Sequence, residues 1–356
     1  MVKKKVLFIQ GVPRFGGAQV SLCYLAKSNA IDSLVVTSKE GKFSELCKRN
    51  GVKVYIVPLP MWRKLKSWFR IPIALIKLVS IIVNENIDIV YANTLWDVPY
   101  SVVLSLLTNK YSVGHFRNTF SEDKIGKYLV KFLHKTIAVS FEVAKTLWKY
   151  NIRCKVVYNG APVPDCENRG SNDCFLISLI GRVDSTKGQD IAIKSMGILR
   201  KKISRIKLVI AGEESYLERG LLKRLIYMVN NLGLRDRVSF LGHVDKVYEL
   251  LCRTDVSLVP SKQSSNEGFG RVIIESFACG VPVIASRVGG ILTVMRDGKV
   301  GFVVLPDEFG FSECILKYTL YPVVRRRHST NAKVVFSRYY KLDRVVNNLI
   351  SELYGY

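Results

Sequence analysis

Residues 267–290 read EGFGRVIIESFACGVPVIASRVGG, and this stretch predicts a helix followed by a buried strand. The helix is expected to end at Gly280, because Pro282 follows closely and cannot continue it. The short apolar run at 283–285 has the composition of a strand that is covered on both faces. A helix that leads into such a strand is typical of an α/β fold with a parallel sheet.

The start of this helix is predicted to bind an anion. Asn266 is expected to cap it, and the amides of Gly268, Phe269 and Gly270 are expected to be left unpaired in its first turn. Glu275 lies among apolar residues of the same helix and therefore needs a polar partner, which a bound hydroxyl can provide. The alternative is that Glu275 is an ordinary solvated helix residue.

Strand-like and helix-like patterns alternate along the whole chain. Short apolar runs predict two series of six strands, at 6–9, 34–36, 54–57, 89–91, 111–114 and 137–139, then at 175–180, 208–211, 238–241, 256–259, 283–285 and 302–304. A polar, proline-containing segment at 161–173 separates the two series. The prediction is an α/β fold with two doubly wound domains, at 1–160 and 161–335, and a C-terminal helix at 336–356 that packs back on the first domain.

The composition favours partners that carry negative charge. The 356 residues have a formal net charge of +25, and residues 1–158 hold 25 Lys and Arg against 9 Asp and Glu. Such an excess attracts nucleic acid, an anionic membrane surface or phosphate-bearing substrates. The length and average hydrophobicity exclude a disordered or fibrous protein.

The eight cysteines are scattered, without a C-x-x-C pair, and are predicted to be reduced thiols of a cytosolic protein. Neither a zinc site nor a disulfide framework is expected. The apolar run near the N-terminus, at 6–9, is too short for a signal peptide and is interpreted as the first strand. The chain has no clean G-x-G-x-x-G, so nothing indicates a nicotinamide cofactor.

Each half has a glycine-bearing turn after a strand. The first turn contains Gly16 and Gly17, and the second contains Arg182 and Lys187. Such turns let a phosphate approach backbone amides, and the two cations can neutralise its charge.

In this order the motifs resemble glycosyltransferase family 4. The resemblance covers nearly the whole chain and is most specific in E-G-F-G, in the spacing of Glu267 and Glu275, and in G-V-P-V-I-A-S with G-G. It implies a GT-B fold, in which two Rossmann-like domains face a central cleft. It also implies a hexosyltransferase that retains the anomeric configuration and needs neither a divalent metal nor any other cofactor.

The resemblance also implies roles for individual residues. The donor, a UDP- or GDP-sugar, would be bound by Gly16, Gly17, Arg182, Lys187, Gly268, Phe269, Gly270 and Glu275, with Glu275 on the ribose hydroxyls. Glu267 and His115 would be catalytic and face the transferred sugar. His115 also fits the role of a core histidine. Thr293 and Gln19 stand where the family commonly has Glu, which leaves the identity of the sugar open.

The acceptor is predicted to be lipid-linked or a glycan. Residues 61–70 and 127–135 mix cations with aromatic side chains, and 71–83 is a long aliphatic stretch. This pattern favours peripheral binding to an anionic membrane surface at the cytoplasmic face. A spanning helix is not expected, because Arg70 and Lys77 interrupt the apolar run. The alternative is a core helix with a solvated basic face.

Two other classes of function stay open. A nucleotide-sugar epimerase can use the same fold. A nucleic-acid-binding protein can use the same cations and aromatic residues. The nucleic-acid interpretation gives no purpose to Glu267 and Glu275, so no nucleic-acid partner is expected.

Overall fold

The computed structural model describes residues 3–12, 15–119, 128–166, 173–265, 267–295 and 299–354. Asn266, the predicted helix cap, and residue 127 of the basic segment lie outside these ranges. The chain forms two compact units, Met1–Gly160 with Leu342–Tyr356, and Ala161–Lys341. The second unit therefore ends at Lys341 rather than at residue 335.

The first unit is built on one parallel sheet of seven strands in the order β3-β2-β1-β4-β5-β6-β7. Its strands are β1 (Lys5–Gln10), β2 (Asp32–Thr37), β3 (Lys53–Ile56), β4 (Ile89–Ala92), β5 (Tyr111–Phe116), β6 (Lys135–Ala138) and β7 (Lys155–Val156). Its helices are α1 (Gly17–Ala26), α2 (Lys42–Arg49), α3 (Ile71–Asn84), α4 (Val98–Thr108), α5 (Phe141–Trp148) and α13 (Leu342–Tyr354), with 3-10 turns at Leu65–Arg70 and Leu95–Asp97.

The second unit has a parallel sheet of six strands in the order β10-β9-β8-β11-β12-β13. Its strands are β8 (Phe175–Ile180), β9 (Ile206–Ala211), β10 (Val238–Gly242), β11 (Val256–Val259), β12 (Val283–Ser286) and β13 (Gly301–Val304). Its helices are α6 (Gln189–Leu199), α7 (Leu221–Asn231), α8 (Val247–Arg253), α9 (Arg271–Ala278), α10 (Ile291–Met295), α11 (Glu308–Leu320) and α12 (Pro322–Val335), and α12 runs into a π-helical turn at Phe336–Tyr340.

The predicted α/β class with two doubly wound sheets is confirmed. All twelve predicted strands are present, because continuous apolar runs mark strands that helices cover on both faces. β7 was missed, since two residues carry no periodicity. Each sheet reverses its strand order once, between β1 and β4 and between β8 and β11, and ligands of such sheets bind beside the carboxyl ends of the strands at that point.

The C-terminal helix α13 completes the core of the first unit. Val345, Val346, Leu349 and Leu353 are buried in the same apolar cluster as the strand residue Val6. These positions recur every three or four residues, which is the spacing of one helix face.

We expect Leu349→Ala to destabilise the first unit by about 2–5 kcal/mol, because it leaves a cavity in a fully buried site. Asn347→Ala on the exposed side of the same helix is the matched control and should change stability by less than about 0.5 kcal/mol. Urea unfolding followed by circular dichroism measures both. Equal midpoints for the two variants would show that α13 does not contribute to this core.

A close backbone approach fixes the loop between β8 and α6 in the second unit. Gly188 has φ +71°, and a Cβ atom there would overlap the carbonyl oxygen of Pro260, which directly follows β11. Only glycine fits this position, since both the backbone angle and the space exclude a side chain. The loop that carries Lys187 is thereby held against the end of β11.

Replacing this glycine should cost more than replacing one with the same backbone angle and open space. Gly220 has φ +90° and no atom within 4 Å of a built Cβ. We expect Gly220→Ala to cost about 1–2 kcal/mol from the left-handed backbone alone. Gly188→Ala should lose about 1–3 kcal/mol more from the overlap. Thermal unfolding of both variants tests this, and a Gly188→Ala midpoint as high as that of Gly220→Ala would contradict the close approach.

Candidate functional site

The predicted donor-binding residues of the second unit lie in loops at the carboxyl edge of its sheet. Arg182 and Lys187 follow β8, Gly268 and Gly270 lie between β11 and α9, and Glu275 is on α9. β8 and β11 are the neighbouring strands at which the strand order reverses. The sequence order thus places these loops at the edge where an α/β sheet binds its ligand.

Glu267 connects three of these loops. Its Oε2 accepts a short hydrogen bond from Lys187 Nζ, and its Oε1 accepts one from the Gly270 amide at 3.2 Å. Its carbonyl oxygen accepts the Gly290 amide at 2.8 Å, which joins the loop after β12. The Lys187 and Glu267 side chains are 29% and 16% exposed, so the ion pair is partly shielded from water. The Gly270 amide was predicted to be unpaired; this was wrong, because Glu267 occupies it.

Arg182 is held by a neighbour that the sequence analysis missed. Its Nε and Nη2 donate to Asp184 Oδ2 at 3.2 and 3.0 Å, and Thr186 donates its amide and hydroxyl to the other carboxylate oxygen. Burial raises the pKa of Asp184, but the hydrogen bonds from Thr186 and the charge of Arg182 outweigh it and leave the pKa below its usual value. The Arg182 carbonyl oxygen accepts the Gln189 side chain at 2.9 Å, which fixes the turn.

The polar partner of Glu275 is Arg271, one turn earlier on the same helix. Arg271 Nε donates to Glu275 Oε1 at 2.6 Å, with side chains only 10% and 12% exposed. The prediction that Glu275 lies on an element with buried neighbours is consistent with this low exposure. The signal for Arg271 was present in the sequence as an i,i+4 pair of opposite charge, which helix geometry brings together.

Phe269 is the buried residue of the Gly-Phe-Gly motif. It is 3% exposed, and its ring meets Tyr340 edge to face, with centroids 5.8 Å apart. The side chain therefore anchors the start of α9 in the second unit, and only the backbone of Phe269 is suited to a ligand.

In the first unit, Gly16 and Gly17 mark the start of α1. The amides of Gln19 and Val20 donate to the Gly16 carbonyl at 3.1 Å, and the helix begins at Gly17 directly after the turn that follows β1. β1 lies next to β4 at the reversal of this sheet. The glycine turn thus has the position expected of a ligand-binding loop.

His115 lies in the core of the first unit. Its side chain is 2% exposed, and its Nδ1 shares a 2.6 Å hydrogen bond with the Tyr91 hydroxyl. Burial, together with the charge of Arg117, holds the pKa of His115 well below its usual range, so the ring is neutral. This position is compatible with the core role that the sequence left open, and the contact of His115 with the sugar stays a prediction.

A buried chain of polar side chains, which the sequence did not predict, lies at the carboxyl edge of the first sheet. Asn93 donates to Gln10 at 2.5 Å, and Arg117 donates to Asn93 at 2.7 Å and to Asn159 at 2.5 Å. Nearby, the Asp97 carboxylate accepts the Gly11 amide at 2.7 Å, and burial raises the pKa of Asp97 to about 7. These residues follow different strands, and only the fold brings them together.

The prediction that every cysteine is reduced was wrong. Cys166 and Cys252 form a disulfide within the second unit, and Cys279 Sγ lies 3.8 Å from Cys252 Sγ. The three residues are widely spaced along the chain, so their meeting could not be read from cysteine spacing.

Comparison with known proteins adds independent findings. The profile of "Glycosyl transferases group 1" matches residues 167–333, and that of "Glycosyltransferase Family 4" matches residues 15–163. The D-inositol 3-phosphate glycosyltransferase of Actinosynnema mirum is 29% identical over 189 residues, which is 50% of this chain and 44% of that protein. An uncharacterized glycosyltransferase of Methanocaldococcus jannaschii is 30% identical over 239 residues, 63% of each chain. The aligned stretches thus span less than two thirds of these curated relatives.

The fold also matches a solved structure over its whole length. The Anabaena protein HepE, crystallised with UDP and glucose, superposes with a TM-score of 0.85 at 22% identity, covering 99% of this chain and 100% of that one. At this identity the likeness shows the fold alone, which is the GT-B arrangement of two Rossmann-like domains. The two profiles together account for both units, and the chain belongs to the family 4, group 1 glycosyltransferases.

Proposed function

We propose that this protein is a retaining, metal-independent glycosyltransferase. It transfers a hexose-type sugar from a UDP- or GDP-sugar to a lipid-linked or glycan acceptor at the cytoplasmic face of the membrane. The observation that carries the proposal is the Lys187–Glu267 pair at the carboxyl edge of the second sheet, with the Gly270 amide bonded to the same carboxylate. A cation, a carboxylate and a helix start are thus gathered within one set of contacts.

The donor diphosphate is the group that these cations fit. Arg182 and Lys187 lie in one loop after β8, and both are about two thirds shielded, so their attraction for phosphate oxygens is stronger than at an open surface. HepE, which shares the fold, was crystallised with UDP and with UDP-glucose. By family resemblance, we propose that the nucleotide base is bound by the backbone near Gly212 and residues 242–244. The Gly212 amide donates to the Gly242 carbonyl at 2.6 Å, which joins these two loops.

Transfer would begin with an exchange of partners. A bound diphosphate offers Lys187 a stronger anion than Glu267 does, so Lys187 turns to the phosphate and one oxygen of Glu267 becomes available to a sugar hydroxyl. When the bond between the sugar and the diphosphate breaks, Lys187 and Arg182 stabilise the charge left on the leaving group. The acceptor oxygen forms the new bond to the sugar on the same face, and its proton leaves with the phosphate. These two cations fill the role that a metal ion would have, and the sequence has no Asp-x-Asp motif to hold one.

Substitutions should separate the proposed role of Glu267 in sugar transfer from that of Arg182 in donor binding. We expect Glu267→Gln to lower the transfer rate by about 100-fold, since it removes a charge aimed at the reacting sugar. Its affinity for the nucleotide should change by less than about threefold. Arg182→Ala should weaken nucleotide-sugar binding by about tenfold or more, because it removes a charge-assisted contact. Calorimetry with UDP and GDP measures affinity, and release of nucleoside diphosphate from a panel of nucleotide-sugars measures turnover.

Glu249→Gln is the matched control, because Glu249 pairs with Lys246 on an open surface and both side chains are more than two thirds exposed. Small and equal effects of Glu267→Gln and Arg182→Ala would contradict the site. A sugar product inverted at C2, in place of released nucleoside diphosphate, would identify an epimerase. Chelation of divalent metals should leave turnover unchanged, and its loss would contradict the metal-independent mechanism.

The proposal of membrane binding rests on the outer face of α3. Ile73, Ile76 and Val83 are 56–70% exposed, and the preceding turn presents Trp68 and Phe69 at 53% and 68%. Exposed cations accompany them, including Arg70 and Lys77. Apolar side chains flanked by lysine and arginine are suited to the boundary between acyl chains and anionic headgroups.

The opposite face of the same helix is committed to the core. By length and composition alone, Ser67–Asn84 would qualify as a membrane span, with a mean hydropathy of 1.5. However, Ala74, Leu78 and Ile82 are buried in an apolar cluster with strand residues of the first sheet, and Ile71 on the same face is also buried. Inserting the helix across a bilayer would strip this cluster, so we propose that α3 lies on the membrane.

Part of the predicted interfacial segment has another role. Trp62 is half-buried, with its ring edge to face against Tyr100 at 5.5 Å, and its carbonyl oxygen accepts the Trp68 indole at 2.8 Å. Trp62 therefore packs against the first unit and orients Trp68. Trp68 and Phe69, with the outer residues of α3, form the proposed contact.

Vesicle sedimentation tests the membrane proposal. The protein should sediment with vesicles that contain anionic phosphatidylglycerol at low salt, and less as salt rises. Phe69→Ser with Ile76→Ser should reduce the bound fraction at least threefold, because both remove exposed apolar surface. Phe309→Ser in the second unit, where the ring is 70% exposed, is the control and should bind like the unaltered protein. Absence of binding at low salt would remove the membrane from the proposal.

A further inference from the structure

Three cysteine sulfur atoms meet in the second unit. The Sγ atoms of Cys166, Cys252 and Cys279 all lie within 4.8 Å of one another. Cys166 and Cys252 form the disulfide, and Cys279 lies outside it, with its sulfur 3.8 Å from that of Cys252. The central sulfur, that of Cys252, is thus bonded to one cysteine and in contact with another.

The two neighbours of the Cys252 sulfur, Cys279 and Cys166, lie in different structural settings. Cys252 is in α8 and Cys279 directly follows α9, and these helices pack together. Both cysteines are buried, at 7% and 1% exposure, in a small apolar cluster with Leu251 and Val281. Cys166 is partly exposed and lies outside any helix or strand. The pair on the helices is fixed by the fold, whereas Cys166 is held in place by an irregular segment.

We propose that these three cysteines form a thiol–disulfide exchange site, with Cys252 as the sulfur that changes partner. The Cys279 thiolate attacks Cys252 Sγ, and a Cys252–Cys279 bond forms as the Cys166–Cys252 bond breaks. The electron pair stays on Cys166, which takes up the proton given up by Cys279. No net oxidation occurs, and the exchange leaves a thiol at the exposed position. There, a small disulfide of the glutathione type can react with it: a mixed disulfide forms on Cys166, and one glutathione leaves as the thiol.

Two further arguments, of which the first rests on the proposed location, support exchange over a purely structural disulfide. In cytosolic proteins, disulfides are mostly transient, catalytic or redox-sensing, and the proposed location is cytosolic. The second concerns α9, where the Cys279 amide donates to the Glu275 carbonyl at the end of the helix. A disulfide to Cys279 would therefore form at the end of the helix that carries Glu275, a predicted donor-binding residue. The exchange itself needs no glycosyl transfer, so its test and that of the enzymatic function are independent.

Disulfide mapping of single variants tests the exchange. The full-length protein and each variant are equilibrated in a glutathione redox buffer and quenched with acid. The remaining thiols are alkylated in denaturant, and the linked peptides are identified by mass spectrometry. We expect Cys166→Ser to yield a Cys252–Cys279 link and Cys279→Ser to keep only Cys166–Cys252. The unaltered protein should contain both links, and Cys252→Ser neither.

The first unit supplies an internal control. Cys23 and Cys47 are also buried neighbours, and neither is in a disulfide. They should remain open to alkylation in denaturant in every variant. Circular dichroism checks that each variant is folded, and the two links in the unaltered protein provide a measurement that needs no substitution.

Two results would overturn the proposal. In the first, Cys252 and Cys279 are both fully alkylated in Cys166→Ser, and the unaltered protein contains only the Cys166–Cys252 link. That outcome would identify a fixed structural disulfide. In the second, the reduced protein retains one equivalent of zinc, which each of the three serine variants loses. That outcome would identify a thiolate metal site, for which three sulfur ligands are also suited.

Discussion

The second unit depends on backbone segments that approach too closely for any side chain to fit between them. At Gly188 the loop after β8 meets the carbonyl of Pro260, and at Gly290 the loop after β12 meets the carbonyl of Gly268. These contacts join three loops that are far apart in sequence but adjacent at the carboxyl edge of the sheet. Lys187 precedes one contact and Glu267 precedes the other, so the backbone positions the ion pair before either side chain contributes.

The ion pair keeps both charges satisfied until a ligand arrives. A partly buried cation without a partner would be costly, and so would a carboxylate. Glu267 meets both requirements because its second oxygen is held by the Gly270 amide, which leaves the first for Lys187. In the proposed mechanism, a diphosphate replaces this carboxylate as the partner of Lys187. Charged groups that are already fixed in place also reduce the free energy needed to rearrange the site during a reaction.

The sequence predicted the sheets well because their signal is local. A run such as 283–285 is apolar on every residue, as a strand that is covered on both faces requires. The partners of the site residues depend instead on how far side chains reach and on which loops adjoin. No sequence pattern predicted two of these contacts. Asp184 binds Arg182, and Glu267 accepts the Gly270 amide. His115 shows the same limit, since a histidine near the end of a buried strand has the same sequence pattern whether it faces the core or a ligand.

The cysteines and α3 show two opposite relations between sequence and tertiary structure. Cys166 and Cys252 meet only because an irregular segment passes beside α8, so their disulfide depends on tertiary structure alone. Helix α3, in contrast, has more apolar residues than its packing in the core requires. The core cluster contains Ala74, Leu78 and Ile82 from this helix, and polar residues at the outer positions would leave those contacts intact. Ile73, Ile76 and Val83 are nonetheless apolar and exposed. Packing among the described residues of the unit does not account for them, whereas the proposed contact with an anionic membrane surface would match both these side chains and the cations beside them.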